Sequence, residues 1–571
     1  MLKQRKLTLI VILISAVSAL SGYSAQINNR EGVRRVLLIS IDGMHALDFE
    51  NCANNGTCPH LAALATHGVT YTRASTSKPS DSFPGLMNIV TGGTPKTHGA
   101  FYDLAFDRSL APPLHDTGNG LLHGNCTPGV LSGTTTEYEE GVEIDQTLLN
   151  GGAPHASLTD GGVASIDKDR LPRDPSHGCD PVYPWNFLRA NTIFGVIHQA
   201  RGRTAWSDKH AVYASVSGPT GTATPSNVDD YYSPEVNSNV VALAGVTTPP
   251  TPNHPKGVPC SPVRDMSQLG SWTDSFENIQ CYDTLKVNAV LNWIKGKTHL
   301  GSSNAPVPTL FGMNFQAVSV GQKLIEGGRG PTGGYFDNAG TPTPVMLDEI
   351  EFVDAGIGQM VAELTNQGLL DSTLIIITAK HGQSPIDTHR FTPIPGNTPA
   401  NLISSFLRPS EDPNGPDIGP TEDDVSLLWL NDSRSTTTAV EILENKQATL
   451  QPPAAGIGEI FYGPSLTTMF NAPGLPPNGD PRTPDIIVQP NVGVIYSGSH
   501  KKQAEHGGFS HDDTNVMMLV SKPDFNASVV TTAVETAQVA PTILAALGLD
   551  PGELQAVQIE GTLVLPGLFG K

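Results

Sequence analysis

The sequence predicts an α/β fold in which helices flank a mostly parallel central sheet, with Gly/Pro-rich insertions and a small β-α-β insert. Three observations carry this. Short apolar runs end abruptly at charged or polar residues, as strands buried on both faces do. Apolar residues recur at helical spacing just before such a run, giving helix-then-strand units. Between the units lie stretches rich in Gly, Pro, Ser and Thr: the 571 residues include 58 Gly and 47 Pro, while only 16% are charged.

In chain order, Lys3, Arg5 and Lys6 precede an apolar stretch from Leu7 to Leu20, followed by small residues at Ser21, Gly22, Ser24 and Ala25. That stretch is short of the about 20 residues a membrane span needs. Residues 1–25 therefore read as a secretory signal, and the protein as exported, either periplasmic or secreted, with no membrane span in the mature chain. The core opens over residues 33–103, with Arg35-Val-Leu-Leu-Ile-Ser-Ile-Asp42 as its first strand. Residues 104–184 form an insertion. Thr192–Gln199 and Thr204-Ala-Trp-Ser207 make a helix–strand unit within 185–212, and residues 213–280 are a second insertion. The core resumes over 281–390 with a strand at Val307–Phe311 and a helix between Pro344 and Leu370 carrying Ile350, Val353, Ile357, Met360, Val361 and Leu364 at helical spacing. The run Thr373–Thr378 follows, leading into Lys380-His381-Gly382. Residues 391–480 hold the β-α-β insert: strand Val425–Leu430, helix Thr438–Leu450, strand Gly458–Tyr462. Over 481–571 the core closes with a strand at Asn515–Val520 and a helix at Thr536–Leu547 stopped by Gly548.

Charge narrows the function classes. There are 34 basic and 55 acidic side chains, a formal net charge of −21. No basic stripe is available to neutralise phosphates, so binding to a nucleic-acid duplex is not expected. An acidic protein that handles a phosphate must bring a metal or a few well-placed cations. The six cysteines, Cys52, Cys58, Cys126, Cys179, Cys260 and Cys281, form no C-x-x-C pair, which speaks against a zinc ribbon or redox motif. In an exported chain they are disulfide candidates. Cys52 and Cys58 bracket a short polar loop and are expected to bridge; the pairing of the other four is open.

In open α/β sheets, ligands collect at the carboxyl ends of the strands. Asp42, the Lys380-His381 pair and His506 lie at such ends. Residues 78–93 place Ser82 ahead of a short helix beginning near Pro84, whose N-terminus favours an anion. A hydroxyl there, near an Asp and two His from distant strands, suits nucleophilic attack on phosphorus, with a metal lowering the hydroxyl's pKa. Each residue alone also has a plainer reading. Asp42 could cap a turn, Ser82 could be an N-cap, and His381 and His506 could be structural turns before glycine. Trp206-Ser-Asp208-Lys209-His210 follows a strand and could reach the pocket, but Lys and His in that position are usually solvated. Asp230-Tyr-Tyr reads as a turn with aromatic packing, His45 and Asp48 as local capping groups. N-x-[S/T] sequons at Asn55, Asn125, Asn431 and Asn526 are what chance gives in so Ser/Thr-rich a chain.

Taken together, the motifs resemble the type I phosphodiesterase/nucleotide pyrophosphatase family of the alkaline phosphatase superfamily, from about residue 34 to about residue 550. They are Ile-Asp-Gly-Met at 41–44, Ser82-Phe-Pro followed by Ile-Val-Thr-Gly-Gly, and His98-Gly99. Further on come Ile-Ile-Ile-Thr-Ala-Lys-His-Gly at 375–382, His506-Gly507, and the ending Val-Ala-Pro-Thr-Ile-Leu-Ala-Ala-Leu-Gly-Leu. The resemblance implies an alkaline-phosphatase-like core and an exported hydrolase of phosphate esters, cleaving phosphodiester or nucleotide pyrophosphate bonds of small substrates. It implies Ser82 as nucleophile and a divalent cation, zinc by family, with Asp42, Ser82 and His381 matching one metal site and His506 the late histidine of the other.

The chain departs from that pattern in a specific way. The Asp of the family's Asp-His pair is Lys380. Where Asp-x-x-x-His should lie, the sequence reads Gly312-Met-Asn-Phe-Gln-Ala-Val-Ser-Val-Gly-Gln-Lys, with Gln316 and Gln322 in place of carboxylate and imidazole. The phosphate-contacting Asn three residues after the nucleophile is Gly85. A two-zinc centre is therefore not expected intact, and three arrangements are open. One metal could remain on Asp42, His381 and Ser82 with Lys380 as the second cation, a scheme similar to that of the sulfatase branch. Asp512, Asp513 or His511 could complete a remodelled site. Or the fold could persist as a binding protein without hydrolysis. A sulfatase proper is disfavoured, because Ser82-Phe-Pro84-Gly-Leu86 lacks the Arg of that signature. In the catalytic reading Ser82 and Lys380 are the reacting and charge-stabilising groups, and Gln316 and Gln322 are substrate contacts. The leaving group and the oligomeric state are not legible.

Overall fold

The computed structural model describes residues 32–118, 120–138, 162–236, 254–256, 273–407, 421–449 and 455–568. The expected signal segment, residues 1–25, lies outside them. The centre is an eight-stranded sheet built from β1 (Arg35–Ile41), β2 (Gly68–Tyr71), β3 (Thr204–Ser207), β4 (Asp230–Tyr232), β5 (Leu310–Phe315), β6 (Thr373–Thr378), β7 (Leu519–Ser521) and β8 (Ser528–Val530). Their order across the sheet is β8-β2-β7-β6-β1-β5-β3-β4. β6, β1, β5, β3 and β4 run parallel, and β7 is antiparallel to both β6 and β2.

The central strands are buried along nearly their whole length, which accounts for their mostly apolar sequences. Four helices matter for the site: α1 (Ser82–Thr91), α2 (Phe276–Ile294), α3 (Ala317–Lys323) and α4 (Pro344–Asn366). α4 starts at a Thr343 cap, whose hydroxyl accepts from Met346 N, with Pro344 at its first position. It buries Ile350, Val353, Ile357, Met360 and Leu364 in the main core. Among the described residues no helix is long and apolar enough to cross a membrane.

Two segments differ from expectation. The strand expected at Val307–Phe311 runs instead over Leu310–Phe315, carrying Gly312 and Asn314 inside the sheet. Asn515–Val520 divides into Asn515–Val516, which pairs with Ala74–Ser75, and the antiparallel β7. Apolar periodicity carries no information on strand direction, so neither pairing could be read in advance.

The insert carries a four-stranded antiparallel sheet of Thr421–Glu422, Ser426–Leu428, Ile486–Pro490 and Ile457–Tyr462, in that spatial order. One face packs with helix Thr436–Thr449 in a core that includes Leu428, Val440, Leu443 and Val488. The other face, through Leu427, Trp429 and Ile487, packs on Phe101, Tyr102 and Phe106. Cys52–Cys58 and Cys126–Cys179 are disulfides, the first as expected, and Cys281 is disulfide-bonded as well.

Candidate active site

The parallel register aligns several strand ends. Ile41 pairs with Phe315, Ser40 with Thr378, and Met313 with Ser207. The residues just past those ends are Asp42, Gln316, the Lys380-His381 pair, and Asp208-Lys209. Four neighbouring strands thus deliver the polar and charged residues that follow their ends to one edge of the sheet, as the topology of open α/β sheets predicts.

α1 brings the serine to that edge. Asp81 caps the helix, its Oδ2 accepting from Phe83 N at 3.0 Å and from Asp103 N at 3.2 Å. Ser82 is the first helical residue and is fully buried. The helix can come this close because residue 85 is glycine. A Cβ there would stand 2.2 Å from the carbonyl oxygen of Lys380, a backbone atom that cannot yield. The Asn that the family carries at this place has no room.

Around the Ser82 hydroxyl the distances are short. Oγ lies 3.0 Å from His381 Nε2 and 3.5 Å from Asp42 Oδ2, and it accepts from Lys209 Nζ at 3.1 Å. His381 Nδ1 lies 2.8 Å from the Gly382 carbonyl oxygen. A carbonyl only accepts, so Nδ1 bears the hydrogen, and in the neutral ring Nε2 is an acceptor facing Ser82.

Asp42 is ringed by N–H groups. Its Oδ2 accepts from Gln316 Nε2 at 2.6 Å and Asn314 Nδ2 at 3.1 Å, with His381 Nε2 at 3.6 Å and the ammonium groups of Lys209 and Lys380 each at 4.0 Å. Its other oxygen, Oδ1, is buried without a hydrogen bond. Burial alone would raise the pKa of this carboxyl; Lys380, His381 and Lys209 outweigh that and hold it well below the usual carboxylate range. Lys380 is completely buried. It donates to Asp208 Oδ1 at 2.8 Å and lies 3.9 Å above the Tyr213 ring. Burial lowers its pKa, and Asp208 and Asp42 oppose that shift. Asp208 also accepts from Trp206 Nε1 at 2.9 Å.

The remaining expected residues sit as follows. His506 stacks near His381, ring centroids 3.9 Å apart, and its Nδ1 is 3.6 Å from Asp81 Oδ1. Burial, and then His381, push its pKa well below the ordinary imidazole value. Its loop is fixed by the insert, since Tyr102 Oη donates both to Asp423 Oδ2 and to the His506 carbonyl. Gln322 Nε2 donates to the Gly43 carbonyl. Both glutamine amides therefore bond to the protein around Asp42, Gln316 directly and Gln322 through the adjoining turn. His511 and Asp512 are not among the Ser82 contacts, and Asp513 bonds Ser510.

Whether these residues fit the family's metals can be judged from the donors. Asp42 Oδ2, Ser82 Oγ and His381 Nε2 lie 3.0 to 3.6 Å from one another, spacings that three ligands of one zinc could adopt. The Lys380 ammonium stands 4.0 Å from that Asp42 oxygen, and a second ammonium, from Lys209, donates to the serine. Each unit of like charge brought to 4 Å is opposed by on the order of 4 kcal/mol at an effective dielectric near 20. At the second site the carboxylate and imidazole are glutamines, and Gln316 turns its N–H rather than its oxygen toward the centre. Among the described residues, the only group of three or more His, Cys, Asp or Glu donors within 4.8 Å of one another is His115, Asp167 and Asp169, on the first insertion. The residues at the strand ends do not fit a two-metal centre.

Two participants were not singled out from sequence, Asn314 and Asp81; Asp208 and Lys209 lie in a segment that could reach the pocket but reads as solvated. Lys209 had a signal, its place two residues after an apolar strand, but the same place usually means a solvated lysine.

Comparison with known proteins agrees with this architecture. The sequence pattern described as type I phosphodiesterase / nucleotide pyrophosphatase matches residues 36–133 and 270–513. No curated protein matches the chain. Among solved structures, murine ectonucleotide pyrophosphatase/phosphodiesterase 5 is 14% identical, with 90% of this chain and 96% of that one covered and a TM-score of 0.49. The human protein of the same name is 14% identical, over 90% and 95%, with a TM-score of 0.47. The alkaline phosphatase PafA is 11% identical, over 90% and 96%, with a TM-score of 0.50, a likeness of fold.

Proposed function

This chain belongs to the type I phosphodiesterase / nucleotide pyrophosphatase family, and from that premise we propose that it is an exported hydrolase of phosphodiester or nucleotide pyrophosphate bonds in small substrates, with Ser82 as nucleophile. One observation carries the reading: a fully buried serine hydroxyl at the start of α1, 3.0 Å from a histidine nitrogen whose partner nitrogen is committed to a carbonyl.

In this reading the Ser82 hydroxyl gives its proton to His381 Nε2 as Oγ forms a bond to phosphorus. The imidazolium so formed faces Asp42 Oδ2 at 3.6 Å. The phosphorus–leaving-group bond breaks, and the leaving oxygen departs with the electron pair and takes the proton from His381 Nε2, which returns the ring to its neutral form. Water then attacks the phosphoseryl group, losing its proton to His381 Nε2, and the phosphorus–Oγ bond breaks as Oγ takes that proton back from the ring. The start of α1 offers the positive end of the helix dipole to the phosphoryl oxygens, while its Phe83 and Gly85 N–H groups are bonded to Asp81. Family membership implies divalent-cation chemistry, with Asp42, Ser82, His381 and His506 as the matching positions. Because the donors here do not fit a two-metal centre, no step is routed through one.

Export is supported by the two disulfides, which persist in oxidising compartments. The test is hydrolysis of bis(p-nitrophenyl) phosphate by the wild type and by Ser82→Ala, with mass spectrometry of acid-quenched protein. Ser82-dependent turnover and phosphate on the Ser82 peptide are expected. Equal rates for the two proteins, with no phosphopeptide, would leave the fold as a binding protein.

A further inference from the structure

Two lysines from different strand ends converge on the serine. Lys209 Nζ donates to Ser82 Oγ, and Lys380 Nζ lies 4.0 Å from Asp42 and 2.8 Å from Asp208. Their surroundings differ. The Lys380 side chain is wholly buried, between Asp208, Asp42 and the face of Tyr213. The Lys209 side chain is 14% exposed, so it reaches the serine from the solvent side. Two ammonium groups already face the carboxylates of Asp42 and Asp208, so a divalent cation placed here would meet two positive charges at close range. The carboxylate oxygen nearest the serine already accepts from Gln316 and Asn314 and has both ammonium groups 4.0 Å away.

We propose that Lys209 and Lys380 take the place of the metal pair, so that this site binds and stabilises a phosphoryl group without a divalent cation. The proposal rests on the reading of Ser82 as nucleophile and assigns the two lysines different tasks. Lys209 touches the reacting oxygen and is catalytic: its ammonium stabilises the developing serine alkoxide and a phosphoryl oxygen, the electrostatic task metal ions perform in phosphoryl transfer. Lys380 is a positioning residue, which fixes Asp42 and Asp208 behind the serine. The protonation steps are those already given, and no co-reactant other than water is needed.

The test uses the full-length protein, inorganic phosphate as probe, and three measurements. Metal content by elemental analysis is expected to be far below one ion per chain, with no gain on adding zinc. Phosphate binding, followed by calorimetry, is expected to be the same with and without EDTA. It should weaken about tenfold or more in Lys209→Met, the loss of one charge-assisted contact, and be partly restored in Lys209→Arg, while circular dichroism stays that of the wild type. Phosphate binding that disappears in EDTA and returns with zinc would overturn the proposal, as would binding by Lys209→Met equal to the wild type, or no binding under either condition. The two readings fail separately. Lys209-dependent phosphate binding in EDTA without any ester hydrolysis would sink the nucleophile and keep the lysines. Ser82-dependent hydrolysis that stops in EDTA would do the reverse.

Discussion

Replacing Lys380 by methionine removes one partner of a fully buried ion pair while keeping an apolar stem against Tyr213. The wild-type ammonium is 2.8 Å from Asp208 Oδ1, 4.0 Å from Asp42 Oδ2 and 3.9 Å from the Tyr213 ring centre, with no exposed surface on any of the three charged side chains. Breaking such a pair from one side leaves a buried carboxylate uncompensated and costs about 3–5 kcal/mol. Asp208 keeps its bonds from Trp206 Nε1 and from the Lys209 main chain, which places the expected loss near the lower end. The assay is denaturant unfolding with the disulfides intact, run as a double-mutant cycle with Asp208→Asn. Neutralising Asp208 in the Lys380→Met background should recover about 2–3 kcal/mol. A Lys380→Met protein within about 1 kcal/mol of the wild type, or a coupling under about 0.5 kcal/mol, would refute the claim that the lysine's charge is held by these carboxylates.

Three further outcomes are expected. His381→Ala should lower kcat on a chromogenic phosphodiester by about 100- to 10,000-fold, the range for loss of a general base; a tenfold effect or less would remove His381 from proton transfer. Gly85→Ala should destabilise the fold by about 1–3 kcal/mol, because its Cβ would stand 2.2 Å from the Lys380 carbonyl oxygen; a neutral result in urea unfolding would contradict the seating of α1. Burial pushes the Glu137 carboxyl up to about 7 from its ordinary 4.5, with the Thr117 hydroxyl pulling the other way. Below the ordinary value both folded and unfolded chains hold the proton; between the two values only the folded chain does. Stability is therefore full in acid and falls as pH rises through 7, by about 3 kcal/mol at most. Glu137→Gln should flatten that slope, and an unchanged pH profile would count against it.

Much of the sheet was legible because a strand buried on both faces leaves an uninterrupted apolar word in the sequence. Arg35–Ile41 and Thr373–Thr378 are such words, and the residues just past them are the ones that meet at Ser82. Asn314 and Lys209 were harder for opposite reasons. Asn314 interrupts an apolar strand, and a polar residue inside a strand reads as its end. Lys209 follows one, and nothing local separates a lysine that turns inward, over Tyr213 and toward a serine 127 positions earlier, from one that points to water. The substitution of Lys380 for a ligand was plain in sequence, but its partner was not, because Asp208 comes from a strand three positions away across the sheet. The amide orientation of Gln316 depends on what Asp42 needs, which only the assembled edge decides.

The seating of α1 on the Lys380 main chain has an evolutionary consequence. A nucleophile held in place by helix-to-backbone contact keeps its position whatever side chain stands at residue 380, because the carbonyl that Gly85 accommodates is common to every amino acid. Charge at this centre can then be exchanged one residue at a time without an intermediate in which the serine has drifted. The seat then depends on the absence of a side chain at residue 85 and not on the side chain at residue 380, so the means of neutralising the substrate stays open to replacement while Gly85 is kept.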